Sequence, residues 1–403
     1  MKNKIKKLMY IVLVMLVLVS LLACGNNTKT DISGNGATLD DTQPYFDPNF
    51  HQVAKSDKGY YFIRNKSIGR MKKSHEFLCF WDSSSGECIE LCGKAECDHK
   101  NENCDAYLGE NEYMMNIYFY QNKLYLIKRA GSRAILEEVN PDGTDRKEVG
   151  DVGIAGEGIM SNRLSFCGDT VYIYDVSETD SMGSGNRTVH LYRMSLTDGK
   201  KEVVYEYTGV LAIIKYLRSY GDNVYYIVDY KIENGENKDG IQQYKMAGEG
   251  LMQISGMTGE ITNIIDEIVT DYAVDMENNN LYYYVYAKGL YKKSMDTGKS
   301  ELIYKADSSM ASCRMSYDGN NIYIDNEDWS IWGYSYGGTP KYEKKYLMLD
   351  KQGKEIAELD MQSINCLMYG DDKYLFATSK GYELCYTEKS KLPEINWQCM
   401  TDE

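Results

Sequence analysis

From about residue 44 onward, apolar and polar positions alternate with a period of two, and Gly, Asn and Asp break the alternation at short intervals. The pattern predicts half-buried β-strands joined by tight turns, with almost no helical period. One phrase, a polar turn followed by an alternating strand, recurs seven times: KGYYFI from Lys58, NKLYLI from Asn122, GDTVYI from Gly168, GDNVYYI from Gly221, NNLYY from Asn279, GNNIYI from Gly319 and DDKYLF from Asp371. A second phrase, strand, Gly turn and strand, answers it: WDSSSGECIEL from Trp81, VNPDGTDRKEV from Val139, MSLTDGKKEVV from Met194, ISGMTGEITNII from Ile254, KSMDTGKSELI from Lys293 and LDKQGKEIAEL from Leu349. A Ser, Asp or Asn three or four places before the Gly is placed to bond the turn backbone, and the Gly supplies positive φ. The seventh copy, around Thr387 to Leu392, has lost its Gly.

Two strand pairs repeated at roughly 40 to 65 residues are the signature of four-stranded propeller blades. The fold class expected is therefore all-β, a β-propeller over residues 44–403. Seven blades match the seven copies; six or eight satisfy the pattern too, because ring closure leaves no mark in the sequence. Two β-sandwiches in tandem would not require seven copies of one phrase.

The ends add an address. A basic flank, MKNKIKK, precedes an apolar run from Leu8 to Val19 and then Ser20-Leu21-Leu22-Ala23-Cys24. The run is too short for a bilayer that takes about 20 helical residues, so residues 1–23 are expected to be a cleaved signal peptide. Residues 24–43 contain no aromatic side chain and predict a flexible tether. Loss of Lys2, Lys4, Lys6 and Lys7 would take the formal charge from −15 to −19. So acidic a body argues against nucleic acid as a partner, since binding would release no counterions.

Eleven cysteines change the picture again. Cys92, Cys97, His99 and Cys104 crowd into one connection after the first hairpin. An odd number of thiols cannot all pair internally. Three chemistries fit: a disulfide-stapled loop, a Cys₃His zinc knot whose four protein ligands make it structural, or a redox centre, for which a Cys-x-x-Cys pair is missing. Cys79 and Cys88 flank Ser83-Ser84 symmetrically, which predicts a cross-strand disulfide. Cys167, Cys313, Cys366, Cys385 and Cys399 stand singly on apolar strands and read as small buried hydrophobes.

Catalytic signatures are scarce. The four histidines are scattered, no nucleophile elbow, phosphate loop or H-E-x-x-H occurs, and Ser294-x-Asp296-x-Gly298-x-Ser300 lies where it serves as a turn. Three long connections, from Asp175, Asp229 and Asp325, fall between second and third strands, where function collects on a rigid scaffold. The last carries Trp329, Trp332, Tyr334 and Tyr336, a candidate stacking platform for a sugar or a protein; the same rings would otherwise pack on the propeller. The function expected is a non-catalytic binding module for a protein or glycan. The alternative is a surface polysaccharide hydrolase or lyase using loop carboxylates, whose required spacing is invisible in sequence.

Leu21, Ala23 and Cys24, the tether, the recurring G-x-N-x-Y-x-I and L-Y-x-x-S-x-x-x-G phrases and the Cys-x₄-Cys-x-His-x₄-Cys run together resemble a group of β-propeller lipoproteins of Gram-positive bacteria, whose domain of unknown function is likened to the low-density-lipoprotein-receptor propeller. The resemblance covers nearly the whole chain after the signal. It implies diacylation of Cys24, a cell-membrane location on the extracytoplasmic face and a membrane partner through the lipid. It implies no activity and no required cofactor. The group's usual proline is Ala95 here.

Overall fold

The computed structural model describes residues 52–68, 73–110, 112–154, 164–178, 185–236, 242–326, 343–381 and 383–400. The chain divides into two units, Met1–Thr38 and Leu39–Glu403, and every described residue belongs to the second. Among the described residues everything regular is β apart from two single-turn 3₁₀ segments, Ser308–Met310 and Lys389–Lys391. The second segment stands where the seventh hairpin lacks its glycine.

The first sheet holds β1 (Val53–Ser56), β2 (Gly59–Ile68), β3 (Lys73–Trp81) and β4 (Cys88–Glu90) in sequence order, with β5 (Tyr107–Gly109) also paired to β3. All of its pairings are antiparallel. The second sheet (113–154), fourth (269–305), fifth (314–358) and sixth (364–399) repeat this four-stranded meander. The third, 164–265, has seven strands.

Among the described residues the hydrogen-bonded sheets therefore number six, against an expectation of seven blades with six or eight also allowed. The strand Lys201–Tyr220 explains the difference. Its first half pairs with Asn186–Ser195 and its second with Asn223–Glu236, so one strand ends one repeat and begins the next. Register shifts between Val210 and Ile213 and between Lys215 and Arg218, with Leu211 and Tyr216 at positive φ, bend it at the handover. No turn separates the two halves of YEYTGVLAIIKYL, so one strand continues through these register shifts.

The first two long connections are also not loops. Glu178 pairs with Arg187 and Glu236 with Gln242, so each is mostly a two-stranded ribbon continued past the sheet. The third connection lies largely outside the described residues.

All six Gly hairpins form as expected, each joining a third strand to a fourth. Gly86, Gly143, Gly199, Gly259, Gly298 and Gly353 donate their N–H to the carbonyls of Asp82, Asn140, Ser195, Ser255, Ser294 and Asp350, at 2.7–2.9 Å. The glycine does more than allow positive φ. An ideal Cβ on Gly199 would lie 2.2 Å from the Val149 carbonyl oxygen, and one on Gly353 would lie 2.3 Å from that of Ile303. These two turns therefore press their backbones onto the outer strand of the preceding sheet, whereas a Cβ on Gly86, Gly259 or Gly298 would meet open space.

The core is divided, not central. Among the described residues seven clusters of buried side chains lie at the junctions between consecutive repeats, one of them inside the seven-stranded sheet. One cluster joins Val53, Tyr60, Phe62 and Trp81 of the first sheet to Met368 and Phe376 of the last. The tyrosine excess, 37 Tyr against 8 Phe, suits such seams. Tyr272, fully buried, donates to the carbonyls of Tyr216 at 2.5 Å and Tyr225 at 2.8 Å, and Tyr284 donates to that of Met310 at 2.5 Å. The ring fills the seam while the hydroxyl satisfies backbone across it.

Candidate metal centre

After β4 the chain turns out of the first sheet. The Cys97 N–H bonds the Lys94 carbonyl at 3.2 Å, and the Cys104 N–H bonds that of Asn101 at 3.0 Å, giving two tight turns that aim their cysteines inward. Between them His99 takes φ +50°, a left-handed conformation that brings its Nδ1 to 3.2 Å from Cys104 Sγ. The donor atoms of Cys92, Cys97, His99 and Cys104 all lie within 4.8 Å of one another, an arrangement able to hold a metal ion. The four residues that sequence grouped by proximity are thus also grouped in space, and all three cysteines are free thiols.

The electrostatics differ across the cluster. Burial works against ionising Cys92, but backbone N–H groups of Lys94 and Asp105 donate to its sulfur and hold the thiol below its ordinary value. Burial pushes Cys104 up to about 12. Lys94 pairs with Asp105 at 2.8 Å and keeps that carboxyl below the usual range.

Other expected cysteine chemistry needs correcting. Cys79 faces Glu90 and Cys88 faces Trp81, and the two are not joined by a disulfide. The hairpin closes between Asp82 and Glu87, centred on Ser84-Ser85 and not on Ser83-Ser84, so the two cysteines are offset by two positions. Cys385 and Cys399, read as lone buried hydrophobes, lie directly opposite each other and form a disulfide. Cys167, Cys313 and Cys366 are buried cysteines, as expected. Cys24, Trp329, Trp332, Tyr334 and Tyr336 lie outside the described residues.

Sequence reasoning missed a set of buried charges on the first and second strands of the repeats. Arg218 of the third sheet meets Asp271 of the fourth at 2.6 Å, and both are nearly inaccessible. Asp271 also accepts from the N–H of Met315 in the fifth sheet at 2.8 Å. Arg314 grips Asp325 through two 3.0 Å bonds, and Tyr369 of the sixth sheet donates to the same carboxylate. The visible signal was a charge interrupting an apolar run, as in VTDYAVD and CRMSY.

A cleft of about 380 Å³ lies between the fifth and sixth sheets, with Asp318, Tyr323 and Lys389 in its wall. Lys389 pairs with Asp318 at 2.8 Å and lies 4.3 Å from the centre of the Tyr323 ring. Burial opposes ionisation of Asp318, but Lys389 and two turn N–H groups hold its carboxyl below the ordinary value. Across the first and last sheets, Asp371 is likewise buried yet lowered, by Lys55 and by Tyr60. A carboxyl depressed in the folded state stabilises above its unfolded value of about 3.9, and that stability disappears as pH falls through the folded value. Burial lowers Lys389 below the ordinary lysine value, and the Asp318 carboxylate works against that lowering. The melting temperature is therefore expected to drop between about pH 5 and pH 3, and Asp318→Asn should flatten part of that drop. Melting curves with identical acid slopes in the two proteins would reject the assignment.

No family model matches the chain, and no curated protein sequence matches it. Solved structures match in fold. An oligogalacturonate lyase in complex with manganese superposes with a TM-score of 0.50 and 12% identity, over 84% of this chain and 88% of that one. A structure from a study of two prolyl endopeptidases gives 0.55 and 11%, over 90% of this chain and 51% of that one, so this chain spans about half its length. The β-propeller domain of the Trilobed protease from Pyrococcus furiosus gives 0.45 and 10%, over 89% and 95%. At identities this low the first two matches carry the fold and nothing more. The protein is an all-β chain of the β-propeller class.

Proposed function

We propose that this protein is a lipid-anchored, extracytoplasmic β-propeller of Gram-positive type that binds a protein or glycan and does not transform it. In this reading Cys24 carries the acyl chains, residues 24–43 are the tether and residues 44–403 form seven blades closed into a disc. Seven junction clusters, one between first and last sheets, support the count and the closure. The Cys385–Cys399 disulfide favours an oxidising compartment.

One observation carries the non-catalytic reading. Among the described residues every buried carboxylate is held by a partner: Asp229 by Lys215, Asp271 by Arg218, Asp318 by Lys389, Asp325 by Arg314 and Asp371 by Lys55. Asp275 is held by Asn278, Glu76 by the Tyr113 N–H and Glu137 by the Tyr113 hydroxyl. Such groups brace a scaffold; an acid or base for catalysis must be open to substrate. The second reading, a polysaccharide hydrolase or lyase, draws on the cleft that Asp372 and Glu388 help to line.

The test uses the chain extracted from membranes in detergent, screened on a glycan array and in pull-downs. Trp329→Ala with Trp332→Ala is expected to weaken the recovered interaction on the order of tenfold or more with an unchanged melting temperature. Unaltered binding would remove that surface, and shortened glycan products would favour the enzyme. Cys24→Ser should release the chain from the membrane fraction.

A further inference from the structure

The outer strand of the first sheet is split, and the cysteine cluster sits in the split. β4 and β5 lie along the same edge of β3: Cys88, Ile89 and Glu90 face Trp81, Phe80 and Cys79, and then Tyr107 and Gly109 face Phe77 and Glu76. Residues 91–106 leave the sheet and return to it at one place. Leu78 holds both ends, its carbonyl accepting from Leu91 N–H at 2.9 Å and its own N–H donating to Ala106 at 2.8 Å. Between those ends the chain reads CGKAECDHKNENCD, in which Ala95 is the only aliphatic side chain. Hydrophobic burial cannot offset the entropy of ordering such an excursion.

We propose that Cys92, Cys97, His99 and Cys104 bind one zinc ion, and that the loaded loop is the clasp fastening the first sheet to the second. In a tetrahedral S₃N site the Zn–S and Zn–N lengths place donors about 3.6 to 3.8 Å apart, and the cluster lies within 4.8 Å before any adjustment. Thiolates with one imidazole select zinc over the oxygen-seeking cations. A disulfide would satisfy two sulfurs and strand the third, whereas one metal satisfies all three and the ring.

The clasp reaches the second sheet through Arg146, just ahead of the strand Lys147–Ile154. Its guanidinium donates to the carbonyls of Asp105 at 2.6 Å and Tyr107 at 3.2 Å, at the returning end of the excursion. The preceding turn rests on the departing end: a Cβ on Gly143 would lie 2.8 Å from the Leu91 carbonyl oxygen. Ordering the loop therefore orders the surface on which the second sheet's hairpin sits.

Elemental analysis of the full chain, purified in detergent without chelator, is expected to find one zinc per chain. Stripping and reloading with cobalt(II) should give thiolate-to-cobalt charge-transfer bands and tetrahedral d–d absorption. Cys97→Ser and His99→Gln should each lower retained zinc on the order of tenfold or more. Hydrogen exchange should show residues 91–106 and 140–147 losing protection together when the metal is removed. Arg146→Ala should keep the zinc and lose that coupling. A Cys–Cys bond within the cluster in a peptide map, or three titratable thiols with under a tenth of an equivalent of metal after reloading, overturns the site. Bound zinc whose removal leaves residues 140–147 unchanged overturns the clasp.

Discussion

Asp271→Ala is expected to cost about 3–5 kcal/mol in urea unfolding of the detergent-purified chain. The loss is large because three things happen together. Arg218, 2% exposed, keeps its charge with no counter-charge in reach of water. The N–H groups of Tyr272 and Met315, bonded to Asp271 at 2.7 and 2.8 Å, lose their acceptor. The Asp271–Met315 hydrogen bond between the first strands of the fourth and fifth sheets is lost as well. Removing one partner of a buried pair costs more than removing both, since only the first leaves an uncompensated charge. The double variant Arg218→Met with Asp271→Leu should therefore recover most of the loss. A single variant costing under about 1 kcal/mol, the range of a surface pair, would show that this site is solvated.

Trp81→Ala is expected to cost about 3–5 kcal/mol, the range for large aromatic truncations in a packed core. Trp81 is 3% exposed and ends β3, yet its neighbours come from both ends of the chain. Its ring centre lies 5.4 Å from that of Tyr60, 4.3 Å from Tyr386 and 5.2 Å from Tyr374. Two of these three belong to the last sheet. No strand from one end is hydrogen-bonded into the sheet of the other among the described residues, so this seam is held by side chains. Besides the stability loss, hydrogen exchange in Trp81→Ala should rise first in β1 and in residues 374–388. Uniform exchange across all sheets would mean that the seam is no weaker than the rest.

The cysteine cluster was legible because its four donors lie within one short connection, where proximity in sequence enforces proximity in space. Its role was less so. Three chemistries fitted the residue list, and only the coordinates showed the loop inserted into an outer strand, with both ends on Leu78 and Arg146 against its neck. The Cys79–Cys88 pairing failed by a single step, because a shift of the turn centre by one residue moves two facing positions apart. Cys385–Cys399 was missed for the converse reason: the 3₁₀ turn between them has no glycine signature from which to count.

By itself the sequence determined the strand period, the repeated hairpins with their capping Ser, Asp and Asn, and hence the β-propeller class. Period-two alternation and turn chemistry are short-range properties, settled by residues a few positions apart. Tertiary structure alone decided which repeats merge into one sheet, which cysteines face each other and which charges are buried. Arg218 and Asp271 are 53 positions apart and Tyr60 and Asp371 are 311 apart. Such pairs carry no mark in either local sequence, because what selects them is the register and stacking of whole sheets and the cost of leaving a buried charge without its partner.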